Sequence, residues 1–312
     1  MATTIFSQLR VRLLALFVLL GIVPLALGEF FIFRTASETI LSQSRQQLLS
    51  LVDKTVQQIR VFFEEREKDL DLLASHPLVQ LAFLQWEFGQ RLNEVRGRIE
   101  TYQRENQLYQ QIVLATREGR PILAVGKSPV PDGIAEIPWF KETLKSGKGA
   151  SFLPKGPDGT PALVMARTVR DFEEPKRVVG MLVFFISFSA VSSLVTDLAR
   201  DQTGEAFLVE RATGLILAHS NPSRQFTKSP LPFEDEQARS LIAQMALGER
   251  GWGAYGRGGD QRVVAFSGYP EKGWAVGITR VTAALMTEVY RLRWIATVLT
   301  IGLTAVVGRA AR

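Results

Sequence analysis

The chain has 312 residues, enough for about two ordinary domains, and 46% apolar against 22% charged residues exclude a mainly disordered polypeptide. It contains no cysteine, which rules out disulfides, cysteine nucleophiles and cysteine-ligated zinc. Its two histidines, His76 and His219, leave little for an imidazole metal cage or a histidine-centred active site. The formal charge of +6 invites a nucleic-acid reading, but the basic residues are scattered without interleaved aromatics, so no nucleic-acid partner is expected.

Two apolar runs bracket the chain. Leu13 to Phe33 is 21 residues with one charge, Glu29, long enough at about 1.5 Å per residue to cross a hydrocarbon core of about 30 Å. A cleaved signal peptide is the rival reading, with Arg10 and Arg12 ahead of the run and Ala26-Leu27-Gly28 as a small-residue cleavage site. The run continues past that site to Phe33, which favours a span. Trp294 to Gly308 is a shorter run of 15 residues. Arg291, Arg293 and Arg309 flank it and snorkel to lengthen the usable helix; a buried globular helix is the alternative. Basic residues in both tails (Arg10, Arg12, Arg309, Arg312) put both ends in the cytoplasm. The expected plan is a two-pass protein of the inner (cell) membrane: a tail over 1–12, a transmembrane helix over 13–33, a periplasmic or extracellular body, a helix leading into a second span over 281–308, and a cytoplasmic end over 309–312.

Within the body, Leu41, Leu48, Val52, Val56, Ile59, Phe63, Leu70 and Leu73 recur at three-, four- and seven-residue spacings. This is one apolar stripe on a long helix that nothing breaks before Pro77. The stripe packs on its own domain or pairs with a second copy of itself, so a homodimer is expected. With Trp86, Phe88, Leu92, Ile99 and Tyr102 in a further helical pattern, residues 35–108 read as a helical stalk.

At Tyr109 the texture changes to short strand-like runs separated by glycine turns, and Pro157-Asp158-Gly159 between two such runs signals a hairpin. The same order then returns. Ile112-Val113-Leu114, Glu118-Gly119 and Ile122-Leu123-Ala124 correspond to Phe207-Leu208-Val209, Thr213-Gly214 and Ile216-Leu217-Ala218. Residues 146–166 correspond to 247–266, and GMLVFFIS (180–187) to GWAVGITR (273–280). Three pairs in one order predict a duplicated α+β module over 109–187 and 201–280. A connector helix over 188–200 joins the copies through Val191, Leu194, Val195 and Leu198.

Enzyme signatures are missing: there is no GxxxxGK[ST], HExxH or GxSxG. The glycine-rich 251–260 stretch lies between strands, Glu234-Asp235-Glu236 reads as a solvated first helical turn, and His219 as a structural hydrogen-bonding residue. No catalytic activity, metal or cofactor is expected of this chain.

A tail, a span, a long helix, two sheet modules and a second span resemble a double Cache (dCache) extracellular sensor, over roughly residues 10–308. The resemblance rests on Pro138-Trp139-Phe140 before a helix, TGEAFLVERATGLILAHSNP (203–222), and Tyr269-Pro270 with Gly273-Trp274-Ala275-Val276. It implies two PAS-like antiparallel modules, with the ligand in the membrane-distal one, here 109–187, and 201–280 as the membrane-proximal one. It also implies use in bacterial histidine kinases, chemoreceptors or cyclic-dinucleotide enzymes. The amino-acid-binding members carry a Tyr, an Arg two residues before the Trp, a Tyr after it and a later Asp. Here Trp139 matches and Phe140 replaces the Tyr, while the Arg position falls on Ile137, the upstream Tyr position near Asp132 and the Asp position at about Phe185. A free amino acid needs both charges partnered, so an apolar or aromatic molecule or an organic acid is expected instead. Trp139, Phe140, Phe152 and Phe185 would line its site, with Arg167 as an anchor for an acid; the alternative is that these aromatics only fill a core.

The expected function is ligand-sensing input, the shift passing through 281–291 to the second span. The chain ends at Arg312, where a HAMP linker and an output domain would begin, so a truncated receptor is expected, or one signalling through a partner protein. The rival is a membrane-anchored structural or interaction subunit without a small-molecule ligand.

Overall fold

The computed structural model describes residues 23–310 except 85–89, 127–129, 131–133, 201–203, 229 and 233–234. Helix α1 (Val23–Ala74) is continuous. Leu48, Val52, Val56, Ile59, Phe63, Leu70 and Leu73 of its stripe are buried. The helix stops where Ser75 turns its N–H and hydroxyl back onto the Asp71 carbonyl. His76 Nδ1 then accepts the Leu78 N–H at 3.2 Å and opens α2 (Pro77–Leu84), with proline in the first turn where its missing N–H costs nothing. Helix α3 (Gln90–Glu105) follows.

The chain divides into two compact units, Gln57–Leu194 and a second made of Val195–Arg312 with Met1–Val56. The first holds β1 (Tyr109–Thr116), β2 (Pro121–Gly126), α4 (Pro138–Ser146), β3 (Lys148–Leu153), β4 (Ala162–Arg170), β5 (Val178–Ser187) and α5 (Ser189–Thr196). Its five strands form an antiparallel sheet in the order β2-β1-β5-β4-β3. Because α4 covers one face and the α1 end with α2 and α3 meets the other, the central β5 is apolar along its whole length rather than alternating.

The second unit holds β6 (Gly204–Glu210), β7 (Ile216–His219), α6 (Glu236–Leu247), β8 (Gly251–Tyr255), β9 (Arg262–Tyr269), β10 (Trp274–Val281), α7 (Thr282–Leu285) and α8 (Thr287–Ala310). Its sheet runs β7-β6-β10-β9-β8, the same order as the first. The covering helices also end alike: Gly147 (φ 85°) and Gly248 (φ 78°) stop α4 and α6 in the left-handed region, where only a residue without Cβ sits unstrained. Their starts differ. Asp235 caps α6 by accepting the N–H groups of Gln237 and Ala238, whereas α4 follows Ile137 with no side-chain cap and Pro138 in its first turn.

Among the described residues no helix is long and apolar enough to cross a membrane. Residues 13–22 of the first expected span lie outside the described residues. The second lies within α8, where the 15-residue run from Trp294 falls short of about 20 residues.

Candidate ligand-binding site

Between α4 and the first sheet, the side chains alternate by strand register. Val113 and Ala115 of β1, Val164 and Ala166 of β4, and Met181, Val183 and Phe185 of β5 point to one face. There they meet Ile134, Trp139 and Phe140 in a single apolar cluster. Phe140 and Phe185 are each 1% exposed, and the Trp139 and Phe140 rings meet edge-on at 6.0 Å. Thr143, one helical turn on, is fully buried and donates its hydroxyl to the Trp139 carbonyl at 2.7 Å. Gln111 is buried on the same face, directly opposite Phe185. Among the described residues the side chains gathered in this cluster are apolar. The Trp139 indole N–H is buried and meets no acceptor among the described residues, a costly position for a donor.

Three of the five expected site residues, Trp139, Phe140 and Phe185, are therefore brought together. The other two are not. Phe152 pairs across the ladder with Leu163, and Arg167 with Lys148, on the opposite face of the sheet. Phe152 packs edge-on against Phe188 at 4.8 Å. Arg167 forms an ion pair with Asp71 of α1, next to a pair between Lys148 and Glu67 at 3.5 Å. It lines a groove of about 320 Å³ with Asp71, Ser75, Gln80, Ser146, Gly147 and Thr168, whose lining does not include Trp139. The anchor expected for an organic acid thus stands on the wrong side of β4, because a neighbouring strand position faces the other way.

That opposite face carries a polar network the sequence reading missed. Tyr109 donates to Asp69 at 3.0 Å, the Tyr102 and Tyr109 hydroxyls share a hydrogen bond at 3.0 Å, and Arg66 pairs with Asp69 at 3.0 Å. Burial pushes the Tyr102 hydroxyl up to about 12 and Tyr109 higher still. Tyr109 marks the change from helical to strand-like texture, which was the available signal. Among the described residues no group of His, Asp and Glu is arranged to hold a metal ion.

With two like-ordered sheets, each carrying a helix on one face, the chain has the build of a tandem sensor. It belongs to the double Cache family: the Cache domain matches residues 35–289, and its role is sensory input. Solved structures agree in fold. The sensor domain of the Vibrio cholerae histidine kinase DctB (V. cholerae) is 15% identical with a TM-score of 0.57, covering 76% of this chain and 98% of that one. The sensory domain of the Campylobacter jejuni chemoreceptor Tlp3 with isoleucine bound is 15% identical with a TM-score of 0.59, covering 80% and 97%. An extracellular ligand binding receptor from Desulfohalobium retbaense is 15% identical with a TM-score of 0.57 over 75% of this chain, which spans only 40% of that receptor. No curated protein matches the sequence.

Proposed function

We propose that this Cache sensor is held outside the cell membrane by the N-terminal apolar segment and α8, and that a small neutral apolar or aromatic molecule enters between α4 and the first sheet. The observation that carries the ligand class is the apolar cluster that the described residues form around Trp139, Phe140 and Phe185, with one buried N–H in need of an acceptor. Isoleucine, bound by the Tlp3 domain, would find no opposite charge for its ammonium or carboxylate among the described residues of this cluster, a loss of several kcal/mol per ion. Membrane insertion is supported by Phe30, Phe31 and Ile32 on α1 and Leu292, Trp294, Leu299 and Ile301 on α8, all more than half exposed to solvent.

Ligand-driven repacking of α4 would bias one of two arrangements of the body, passed by displacement of α8 to a cytoplasmic output domain or partner protein. A dimer paired along α1 would let both copies move together. Each histidine Nδ1 accepts a backbone N–H, and the chain is read as acting by binding.

The packing of the three aromatics also suits a second reading, an anchored subunit that binds a protein and has no small-molecule ligand. A thermal-shift screen of the full chain against neutral aromatic metabolites decides between them. A ligand that raises the melting temperature in the parent and is weakened about tenfold by Trp139→Phe, the loss of one hydrogen bond, supports the sensor. No shift with any compound supports the subunit.

A further inference from the structure

At one end of the α6-covered face of the second sheet, polar side chains from six chain segments converge. Glu205 of β6 lies opposite Thr279 of β10, and Arg262 of β9 lies opposite Tyr255 of β8. Arg224 enters from the turn after β7. The Glu205 carboxylate receives both guanidinium groups, Arg224 at 3.3 Å and Arg262 at 3.6 Å. Arg224 spends its other terminal nitrogen on the Pro230 carbonyl at 3.2 Å. Thr279 donates its hydroxyl to the Glu205 carbonyl at 3.4 Å. Their surroundings are half-open: each arginine side chain is 35% exposed. A groove of about 440 Å³ between Thr196, Asp197, Arg200, Gly204, Ser220 and Asn221 reaches Glu205; Arg224 and Arg262 stand beside it and not in its lining.

His219, on the same face opposite Phe207, is 3% exposed and stacks on that ring at 6.4 Å. Its Nδ1 accepts the Asn221 N–H at 2.9 Å, so the proton of the neutral imidazole sits on Nε2. That buried Nε2 has no partner among the described residues. Among the described residues, two guanidinium charges therefore face one carboxylate, beside an unused donor. Two neighbouring described carboxylates are already engaged. Asp235 accepts the N–H groups of Gln237, Ala238 and Gly256, and Asp197 and Arg200 pair with each other at 2.7 Å. One further negative charge balances the cluster; a cation would compete with both arginines, and a dianion would overshoot.

We propose that this end of the second module is a second ligand site, taking a small organic acid whose single carboxylate shares Arg224 and Arg262 with Glu205 and accepts the His219 N–H. It uses a different sheet, helix and residue set from the α4 site, so it stands or falls separately from the function proposed above.

The test is isothermal titration calorimetry on the 312-residue chain in detergent, with sodium acetate and sodium propionate as probes and sodium chloride and sodium phosphate at matched ionic strength as controls. Saturable binding of the monocarboxylates is expected, weakened at least about tenfold by Arg262→Gln through loss of one charge-assisted contact. Glu205→Gln is expected to tighten binding several-fold, because the competing resident carboxylate is gone; a merely structural ion pair would not give that sign. Trp139→Phe is expected to leave the affinity unchanged. Heat that does not saturate, equal binding of chloride or phosphate, or weaker acetate binding by a folded Glu205→Gln protein each overturns the proposal.

Discussion

The two modules share a strand order and differ in what they bury. Counted back from the strand ends (Thr116 and Glu210, Ser187 and Val281), the helix-covered corner that holds Gln111 and Phe185 in the first module holds Glu205 and Thr279 in the second. In the first, an amide and a phenyl ring continue the apolar cluster under Trp139 and Phe140. In the second, a carboxylate draws in Arg224 and Arg262, and the apolar core of Phe207, Phe266, Leu241 and Met245 stops short of them. Backbone pairing fixes where a pocket can form in both copies. The two or three side chains at one corner decide what chemistry it holds.

The largest expected effect tests whether the two cores are equally packed. Phe185→Ala and Phe207→Ala each delete a ring from a site 1% exposed or less, and each is expected to cost about 3–5 kcal/mol. Chemical denaturation measures the loss, and hydrogen exchange assigns it to a module. A cost near 1 kcal/mol for Phe185→Ala alone would mean that the first core gives way easily around a ligand, sharpening the contrast between the modules.

Next is the response to pH, where the modules should fail at opposite ends. Tyr102 is raised by burial to about 12, and Tyr109 is raised further. Below the unfolded value of about 10 both states hold these protons. Above it only the unfolded chain releases them, so stability falls as pH rises from about 10 towards 12. His219 is shifted the other way, chiefly by burial and then by Arg224. It contributes stability above its unfolded value of about 6.5, lost as pH falls through the lower folded value. Tyr102→Phe should flatten the alkaline limb and His219→Gln the acid limb of a denaturation midpoint measured against pH. An acid limb untouched by His219→Gln would remove the imidazole from the account.

A smaller effect follows from how the two covering helices begin. Asp235→Ala removes the acceptor of the Gln237 and Ala238 N–H groups and should lower the denaturation midpoint of the second module by a small, measurable amount. The carboxylate also holds Gly256 N–H at 2.6 Å and is kept below the usual range by these backbone bonds. Helix α4 has no comparable residue to lose, since Pro138 follows an Ile137 that contributes no side-chain cap.

Much of this architecture is legible in the sequence. The glycine turns, the Pro-Asp-Gly hairpin and the duplicated run of strands all lie where their residue types put them. The faces are not legible to the same degree. Pairing GMLVFFIS with GWAVGITR from their shared glycine matches Met181 to Trp274, yet Met181 faces α4 while the α6-facing residues of β10 are Ala275, Gly277 and Thr279. The ungapped alignment is one residue out, and one residue turns every side chain to the other face. In β4 both faces are buried, so ALVMARTV has no alternation from which to tell Ala166 from Arg167. The polar corner of the second module escaped for another reason: its members lie up to 74 residues apart (Glu205 to Thr279), and only the register joins them.

Arg167 gives the smallest effect and the most direct check on the face assignment. Its ion pair with Asp71 is partly solvated, with side chains 24% and 52% exposed. Such pairs are typically worth no more than about 1 kcal/mol, so Arg167→Gln should move the denaturation midpoint little. Because β4 turns this side chain towards α1, the substitution should also leave unchanged the affinity of any compound whose binding depends on Trp139. An Arg167→Gln protein that keeps its stability but loses that compound tenfold would put the guanidinium in the α4 pocket after all. The first module would then hold a charge in its site as the second does, and the contrast between an apolar and an ionic corner would dissolve.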